Sequence, residues 1–428
     1  MIFRNSVLLA IFSALSLFLA IIRDRLLSTH VGIGPTLDVY NAAFRFPDLL
    51  YGALLAFVTA GTVVPFLTKE NSHGGILDPR QKLFSLTLFF GAMLGIGAGI
   101  IALTLPLYAS VIVPGFTEAQ ISEFIFATRI LLIQPFFLGI TSLISCFSQL
   151  RNEFILYGIS PLGYSLSIIA SILWLYPIYG LQGLLYGVVV GSVVSCMIQA
   201  FSLRKAELHK LTYHYAFRHV KELVRLAIPR TGTNITTQVR VIFWTGLATT
   251  FGPGGLTSFL FAQRITDAVT QLIQQSITTA SLPVLSKDFL EGRNEEYSKI
   301  VHRYLIWLGG IGVFVALVIY MLKDYIIVLL YGSTGYNSNI AYFLIGFLIA
   351  LPFTMISGYL SISLYAMKDT KSVFVAFFVG TVLSVCAGLI TRSQGEQSLV
   401  IAVLVWAISQ FLLLSFLYMR KNKVVTLV

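Results

Sequence analysis

Apolar residues run along this chain in long blocks, separated by short knots of charge, glycine or proline. A hydrocarbon core of about 30 Å asks about 20 mainly apolar residues of each helix that crosses it. Twelve blocks qualify, at about residues 5–22, 37–67, 83–106, 121–149, 153–176, 180–203, 222–250, 255–286, 301–322, 338–366, 372–391 and 397–419. The pattern predicts an all-α polytopic membrane protein with about twelve transmembrane helices. The second and eighth blocks exceed one span and carry charge midway, which predicts helices that bend or line a cavity.

Composition points the same way. Of 428 residues, 57% are hydrophobic and 11% charged, against roughly 25% charged in soluble proteins, and the mean hydropathy is +0.85. A soluble enzyme or binding module needs far more polar surface, and a disordered chain far less apolar content. Arg4 ahead of an apolar stretch imitates a secretory signal. However, Arg23-Asp24-Arg25 follows without a small-residue cleavage pattern, so the stretch reads as the first membrane helix. Cys146, Cys196 and Cys386 lie far apart in apolar runs and read as small hydrophobic residues. His209, His214 and His219, five residues apart, do not stack on one helix face as zinc ligands would; a solvated loop is the reading. No metal or cofactor is expected, and no P-loop, nucleophile elbow or HExxH marks a catalyst.

The net charge of +11 speaks of topology, not of nucleic acid. With both termini on one side, that side collects Arg4, Lys69, Arg80, Lys82, Arg151, Arg204, Lys205, Lys210, Arg218, Lys221, Lys287, Arg293, Lys299, Arg303, Lys368, Lys371, Arg420, Lys421 and Lys423. The other side holds only Arg23, Arg25, Lys323 and Arg392. Both termini are therefore expected in the cytoplasm. The basic segment 204–221 reads as a cytoplasmic linker between an N-terminal six-helix lobe, 1–203, and a C-terminal one, 222–428.

Landmarks recur at a nearly constant offset. Gly34-Pro35 matches Gly252-Pro253, Pro65 matches Pro283, Leu67 matches Leu285 and Lys69 matches Lys287. Beyond a one-residue slip, Gly115 matches Gly332, Pro135-Phe136 matches Pro352-Phe353 and Arg151 matches Lys368. Six spans per repeat begin and end on one side, so the repeats are parallel, as in transporters that rock two bundles about a central site. Nothing resembles a selectivity filter.

Charge inside the spans is the candidate chemistry. Arg45 and Asp48, and again Arg264 and Asp267, stand at i, i+3, so each pair shares a helix face, expected to point toward the midline between the halves. An Arg at mid-bilayer costs about 2.5 to 3.5 kcal/mol, and Arg45, Arg129, Arg240 and Arg264 together roughly 10 kcal/mol if they faced lipid. They are expected to face a wet cavity or partners. Taken singly, Arg129 or Arg240 reads equally well as a structural pair locking helices. As a set they outnumber the clearly intramembrane acids, Asp48 and Asp267, with Asp38 near the outer edge. Surplus guanidinium suits a phosphate or diphosphate, which Arg grips in a bidentate fork. Gln238, Gln263, Gln271, Gln274 and Gln275 offer amides for sugar hydroxyls or for interhelical hydrogen bonds. Gly95, Gly97 and Gly99, with Gly309, Gly310 and Gly312, are expected to permit close helix packing.

Ile22-Arg23-Asp24-Arg25-Leu26-Leu27, then Gly32-Ile33-Gly34, Asp38, Ala43-Phe44-Arg45-Phe46-Pro47-Asp48-Leu49-Leu50 and Val64-Pro65-Phe66 resemble the N-terminal signature of the MurJ (MviN) lipid II flippase family. Phe261-Ala262-Gln263-Arg264, followed by Pro283 and Leu285-Ser286-Lys287, resembles that family's eighth-helix motif. The family falls in the multidrug/oligosaccharidyl-lipid/polysaccharide (MOP) exporter superfamily. The resemblance implies a MATE-like V-shaped bundle in the bacterial inner membrane, opening alternately to each side. It would move the headgroup of an undecaprenyl-diphosphate-linked peptidoglycan precursor, lipid II, for cell-wall biogenesis. On matching positions Arg23, Asp24, Asp38 and Arg264 correspond to polar residues associated with transport, and Arg45 to a position usually basic.

The expected assignment has Arg23, Arg45 and Arg264 on the diphosphate, with Asp24, Asp38, Asp48 and Asp267 pairing with them when the site is empty. Arg129, Arg240, Gln238 and Gln263 are secondary cavity candidates. Membrane lipids and cell-wall synthesis proteins are the expected partners, and the driving force is the membrane potential or a Na+ or H+ gradient, with no ion site assigned. The alternatives are another polyprenyl-linked oligosaccharide as substrate, a cation-coupled MATE-like drug exporter, and a non-transporting scaffold for cell-wall synthesis. Three departures from the family accompany the resemblance. Tyr51 and Ala56-Phe57 stand where the family usually has Arg and Glu-Gly. Two further C-terminal helices of typical members are not among the twelve blocks. The eleventh block, 372–391, has none of the acidic or amide groups of the sodium site described for some members.

Overall fold

Helix occupies each of the twelve apolar blocks in the computed structural model, which describes residues 2–57, 79–150, 153–203, 216–333 and 338–426. In chain order these are α1 (Ile2–Leu26), α2 (Pro35–Ala43), α3 (Arg45–Phe57), α4 (Pro79–Ile112), α5 (Glu118–Leu131), α6 (Gln134–Leu150) and α7 (Phe154–Ala170). Then come α8 (Leu181–Ala200), α9 (Ala216–Thr249), α10 (Gly255–Leu290), α11 (Asn294–Tyr331), α12 (Ser338–Ala366), α13 (Thr370–Ile390) and α14 (Glu396–Thr426). The cause is solvation: in lipid an α-helix satisfies its own backbone within one segment. Among the described residues, eight helical stretches are long and apolar enough to cross a bilayer.

Two blocks are broken: the second, whose length and mid-block charge predicted a bend, and the fourth, where the sequence suggested a single helix. The second divides at Phe44 into α2 and α3; its remainder, with Pro65, Leu67 and Lys69, lies outside the described residues, as does Arg151. The fourth divides at Leu132–Ile133, just ahead of Pro135. Proline at the start of α6 withholds an N–H that has no intrahelical acceptor there. Its repeat partner Pro352 instead sits within unbroken α12, so equivalent prolines end one helix and merely interrupt another. The eighth block is one helix, α10, with Pro283 inside it.

Backbone angles repeat where sequence letters do not advertise it. Gly180, preceding α8, has φ 55°, ψ −135°, and Gly395, preceding α14, has φ 63°, ψ −133°. Such positive φ is inexpensive only without a Cβ. Glu153 before α7 (φ −87°, ψ 60°) and Asp369 before α13 (φ −99°, ψ 79°) also share a conformation.

The chain forms two compact units. The first comprises Met1–Ile112, Phe116–Gln238 and Leu330–Thr334; the second comprises Val113–Gly115, Val239–Leu329 and Gly335–Val428. The division falls inside α9, which begins at Ala216 within the expected linker; residues 204–215 lie outside the described residues. In the first unit α8 packs along α7 and α6, and α1 along α7. Small polar groups tie these contacts: Ser160 and Ser195 share a hydrogen bond of 2.7 Å, and Gln199 Nε2 donates to Ser148 Oγ at 2.5 Å. Leu54, Leu86, Phe90, Leu94, Leu143 and Phe147 fill an apolar core between α3, α4 and α6. In the second unit α10 lies along α12, and α14 along both α12 and α13. Of the glycine stripes, a Cβ on Gly97 would stand 3.1 Å from Leu50 and one on Gly312 2.9 Å from the Pro352 backbone, whereas Gly95, Gly99 and Gly310 have open space. Close packing rests on a subset of the glycines. Leu103, Leu107 and Met321, each about 80% exposed, mark the faces that α4 and α11 turn to lipid.

Candidate functional site

In the first unit the charged groups gather with phenols. Arg23, near the C-terminal end of α1, donates Nε and Nη2 to Asp24 Oδ1 at 3.0 and 2.8 Å. Asp24 is buried, as is Asp38 in the first turn of α2, where the positive end of the helix dipole favours a carboxylate. Arg45 reaches back one turn to the Asn41 carbonyl at 3.4 Å. Tyr40 and Tyr164 lie within electrostatic reach of Arg23, and Tyr164 also of Asp48 and Tyr51. Tyr164 accepts a hydrogen bond from Gln134 Nε2 at 3.1 Å, and Tyr51 shares one of 3.0 Å with Ser142. Tyr40, Tyr51, Gln134 and Tyr164 were not singled out from sequence. They come from four helices, α2, α3, α6 and α7, and an isolated Tyr in an apolar run looks like any other aromatic. Tyr51 stands where the family usually has arginine, so at this position the chain offers a phenol instead of a cation.

The surplus of guanidinium is not spread evenly. In the first unit Asp24, Asp38 and Asp48 accompany Arg23, Arg25 and Arg45. In the second, Asp267 is electrostatically coupled to Arg240 and, more weakly, to Arg264. Arg264 and Asp267 sit one turn apart on α10, and the Arg264 guanidinium lies 5.4 Å from the Phe261 ring.

Arg240 is held differently. It is 6% exposed on α9, its guanidinium 3.5 Å from the Trp406 ring centroid and 4.4 Å from that of Trp244. Trp244 is fixed by its indole N–H donating to Ser384 Oγ at 3.0 Å, and Ser384 in turn donates to the Ala402 carbonyl at 2.8 Å. The cage is thus built from α9, α13 and α14. The two rings stand nearly perpendicular, at 83° to each other, and the guanidinium Nε and Nη1 are buried without a hydrogen-bond partner. Each unmet donor costs about 1 to 3 kcal/mol, while a desolvated cation–π contact returns about 2 kcal/mol. The cage offsets the burial without replacing the missing hydrogen bonds.

Arg129 serves the backbone. Its Nε donates to the Ala102 carbonyl at 3.0 Å. Of the glutamines, Gln274 Nε2 reaches the Thr354 carbonyl of α12 at 3.3 Å, with Gly358 leaving room for its amide. Gln238 lies against Gly52, and Gln263 is one turn before Asp267 on α10.

Comparison with known proteins follows from this geometry. The family profile described as "Lipid II flippase MurJ" matches residues 27–427. A probable lipid II flippase MurJ of Rhizobium tropici is 26% identical over 74% of this chain and 61% of its own length. Lipid II flippase MurJ of Burkholderia cenocepacia is 24% identical over 70% of this chain and 60% of its own. The chain therefore spans about three fifths of the length of these curated relatives. Among solved structures, the lipid II flippase MurJ in its inward closed conformation superposes with a TM-score of 0.79 at 20% identity, covering 96% of this chain and 87% of that one. An inward-facing MATE family multidrug resistance transporter of the MOP superfamily gives 0.74 at 17%, covering 95% and 96%. The two-unit helical fold is thus the one these transporters share, and with the profile covering nearly the whole chain, the protein belongs to the MurJ family, as a multi-pass protein of the bacterial inner membrane.

Proposed function

We propose that this protein is a transporter, not a catalyst, and that it translocates lipid II, an undecaprenyl-diphosphate-linked peptidoglycan precursor, across the inner membrane by alternating access. The observation that carries this reading is the retention of Arg23, Arg45, Arg240 and Arg264 among protein groups within apolar helices, in a chain of the MurJ family. Keeping guanidinium in such surroundings is costly unless it has work to do, and a diphosphate is the ligand that repays it through charge-assisted, bidentate hydrogen bonds.

In this reading Arg23, Arg45 and Arg264 act on the diphosphate. Asp24, Asp38, Asp48 and Asp267 take up the guanidinium groups after release. Tyr40, Tyr51 and Tyr164 add phenolic donors for phosphate or sugar oxygens. The membrane potential or an ion gradient supplies the energy, and cell-wall synthesis proteins are the partners that would consume the product.

The test is flipping of purified lipid II in proteoliposomes. Arg264→Glu is expected to abolish transport while the protein still inserts and melts as the parent does; full flipping by that variant would overturn the assignment. Complementation of a flippase-depleted bacterium separates this reading from a drug exporter or a scaffold, neither of which would restore growth.

A further inference from the structure

Among the described residues two short stretches wind as π-helix, five residues each: Leu27–Val31, continuing from α1, and Ser171–Leu175, continuing from α7. Such winding takes up well under 1% of residues in proteins and concentrates at functional sites. The two turns pack against each other within the first unit. The second is clamped by α8, where a Cβ on Gly187 would overlap the Ser171 side chain and one on Gly183, a turn earlier, the Leu175 carbonyl oxygen. The first is closed more lightly. Gly32 N–H donates to the Leu27 carbonyl, five residues back, at 3.2 Å, and Gly32 has φ 84°, ψ 153°, a region reached essentially by glycine alone. The Ser28 hydroxyl inside this turn is buried without a hydrogen-bond partner, a cost that the present winding carries.

The repeat supplies the alternative winding. At the offset of Gly34-Pro35 and Gly252-Pro253, Leu27–Val31 matches Thr245–Thr249, the α-helical end of α9. At the offset of Gly180 and Gly395, Ser171–Leu175 falls on Cys386–Ile390, the α-helical end of α13. One repeated framework therefore holds both windings in one molecule.

We propose that Leu27–Val31 is a register switch: during transport its wide turn tightens to α winding and turns Arg23 and Asp24 relative to Asp38. The inference rests on the assignment of Arg23 to the diphosphate. One residue of winding is about 100° of rotation. Arg23 and Asp24 lie just before the turn, and Asp38 lies beyond it in the first turn of α2, so the change alters which groups face each other. In α winding the Ser28 hydroxyl gains the carbonyl one turn back as an acceptor, which offsets the loss of the Gly32 bond. A headgroup that engages Arg23 better in one register shifts the balance toward it. The clamped turn at Ser171–Leu175 is the fixed seat on which the first turn moves.

Spin labels on either side of the turn read the rotation, at Phe18→Cys on α1 and Pro35→Cys at the start of α2, both exposed positions. The full-length protein also carries Cys146→Ala, Cys196→Ala and Cys386→Ala and is reconstituted in nanodiscs, and flipping of lipid II by each variant is followed in proteoliposomes. Two distance populations are expected, with lipid II changing their ratio. Gly32→Ala, whose Cβ meets nothing within 4 Å and so acts through backbone angles alone, is expected to favour the tight form and to slow flipping at least about tenfold. Ser28→Ala, which removes the unpaired hydroxyl, is expected to favour the wide form. A single distance, unchanged by lipid II in a preparation that flips it, would overturn the inference and leave the substrate assignment standing. Shifts of the two variants in the same direction would overturn it as well. An unlabelled parent that does not flip lipid II would overturn both.

Discussion

Arg129 Nε donates to the carbonyl of Ala102 at 3.0 Å, four residues before Pro106 in α4. Pro106 has no N–H to give that carbonyl, so a side chain from α5 completes a hydrogen bond that α4 cannot make for itself. An arginine in an apolar run is explained here without any substrate.

This gives a mutant cycle. Arg129→Ala should lower stability by about 1 to 3 kcal/mol through the bare carbonyl. Pro106→Ala should restore the helical donor, so the double variant should melt close to Pro106→Ala alone. Thermal melts of the four proteins in detergent measure the coupling; independent, additive effects would contradict the account.

Glycine positions separate by what surrounds them. A Cβ on Gly183 would stand 2.4 Å from the Leu175 carbonyl oxygen, backbone that cannot step aside, whereas one on Gly95 would meet nothing within 4 Å. Gly183→Ala is expected to destabilise by about 1 to 3 kcal/mol through overpacking. Gly95→Ala is expected to be neutral or to stabilise by up to about 1 kcal/mol through helix propensity. Melting temperatures of the two variants provide the comparison.

Asp369 caps α13 by accepting from the Ser372 amide at 3.0 Å, and it pairs with Lys421 of α14 at 2.6 Å. Burial alone would raise its pKa, but Lys421 and the two Ser372 hydrogen bonds outweigh burial and hold the carboxyl below its ordinary 3.8. Because the folded value is depressed, the stabilisation is fully present above pH 3.8 and fades as pH falls through the lower folded value. Asp369→Ala should cost about 1 kcal/mol at neutral pH. Asp369→Asn keeps the cap but should flatten this part of the acid limb, as read from stability against pH between 5 and 2.

Arg240→Met should distinguish function from stability. Exchanging a buried charge for a flexible apolar side chain of similar reach is often neutral or stabilising, so its melting temperature should equal or exceed the parent's. Flipping of lipid II by the same preparation should fall at least about tenfold, equivalent to about 1.4 kcal/mol. A large loss of stability, or unchanged transport, would remove Arg240 from the mechanism.

Much of this architecture was legible in the amino-acid order. The apolar blocks, the recurring prolines and the Arg264–Asp267 spacing each depend on local chemistry that a helix in lipid enforces. A bend in the second block was legible from its length and mid-block charge, but the break at Leu132–Ile133 was not, since Pro135 and Pro352 are equivalent letters with different outcomes. The roles of Arg129 and Arg240 stayed open for a related reason. Each is an arginine in an apolar run, and only a carbonyl 27 residues away or an indole on another helix tells them apart.

Sequence alone determined that the chain is helical and membrane-spanning, and that guanidinium groups lie within its spans, because hydrophobic length and charge are properties of residues in order. Tertiary structure decided what each guanidinium touches: Asp24 for Arg23, a proline-freed carbonyl for Arg129 and two tryptophan faces for Arg240. Asp24 and Trp244 share a helix with the arginine they meet, whereas Ala102 and Trp406 come from other helices. In a low-dielectric interior the fate of a charge depends on the groups within a few ångströms of it, and helix packing, which no local pattern encodes, is what brings them there.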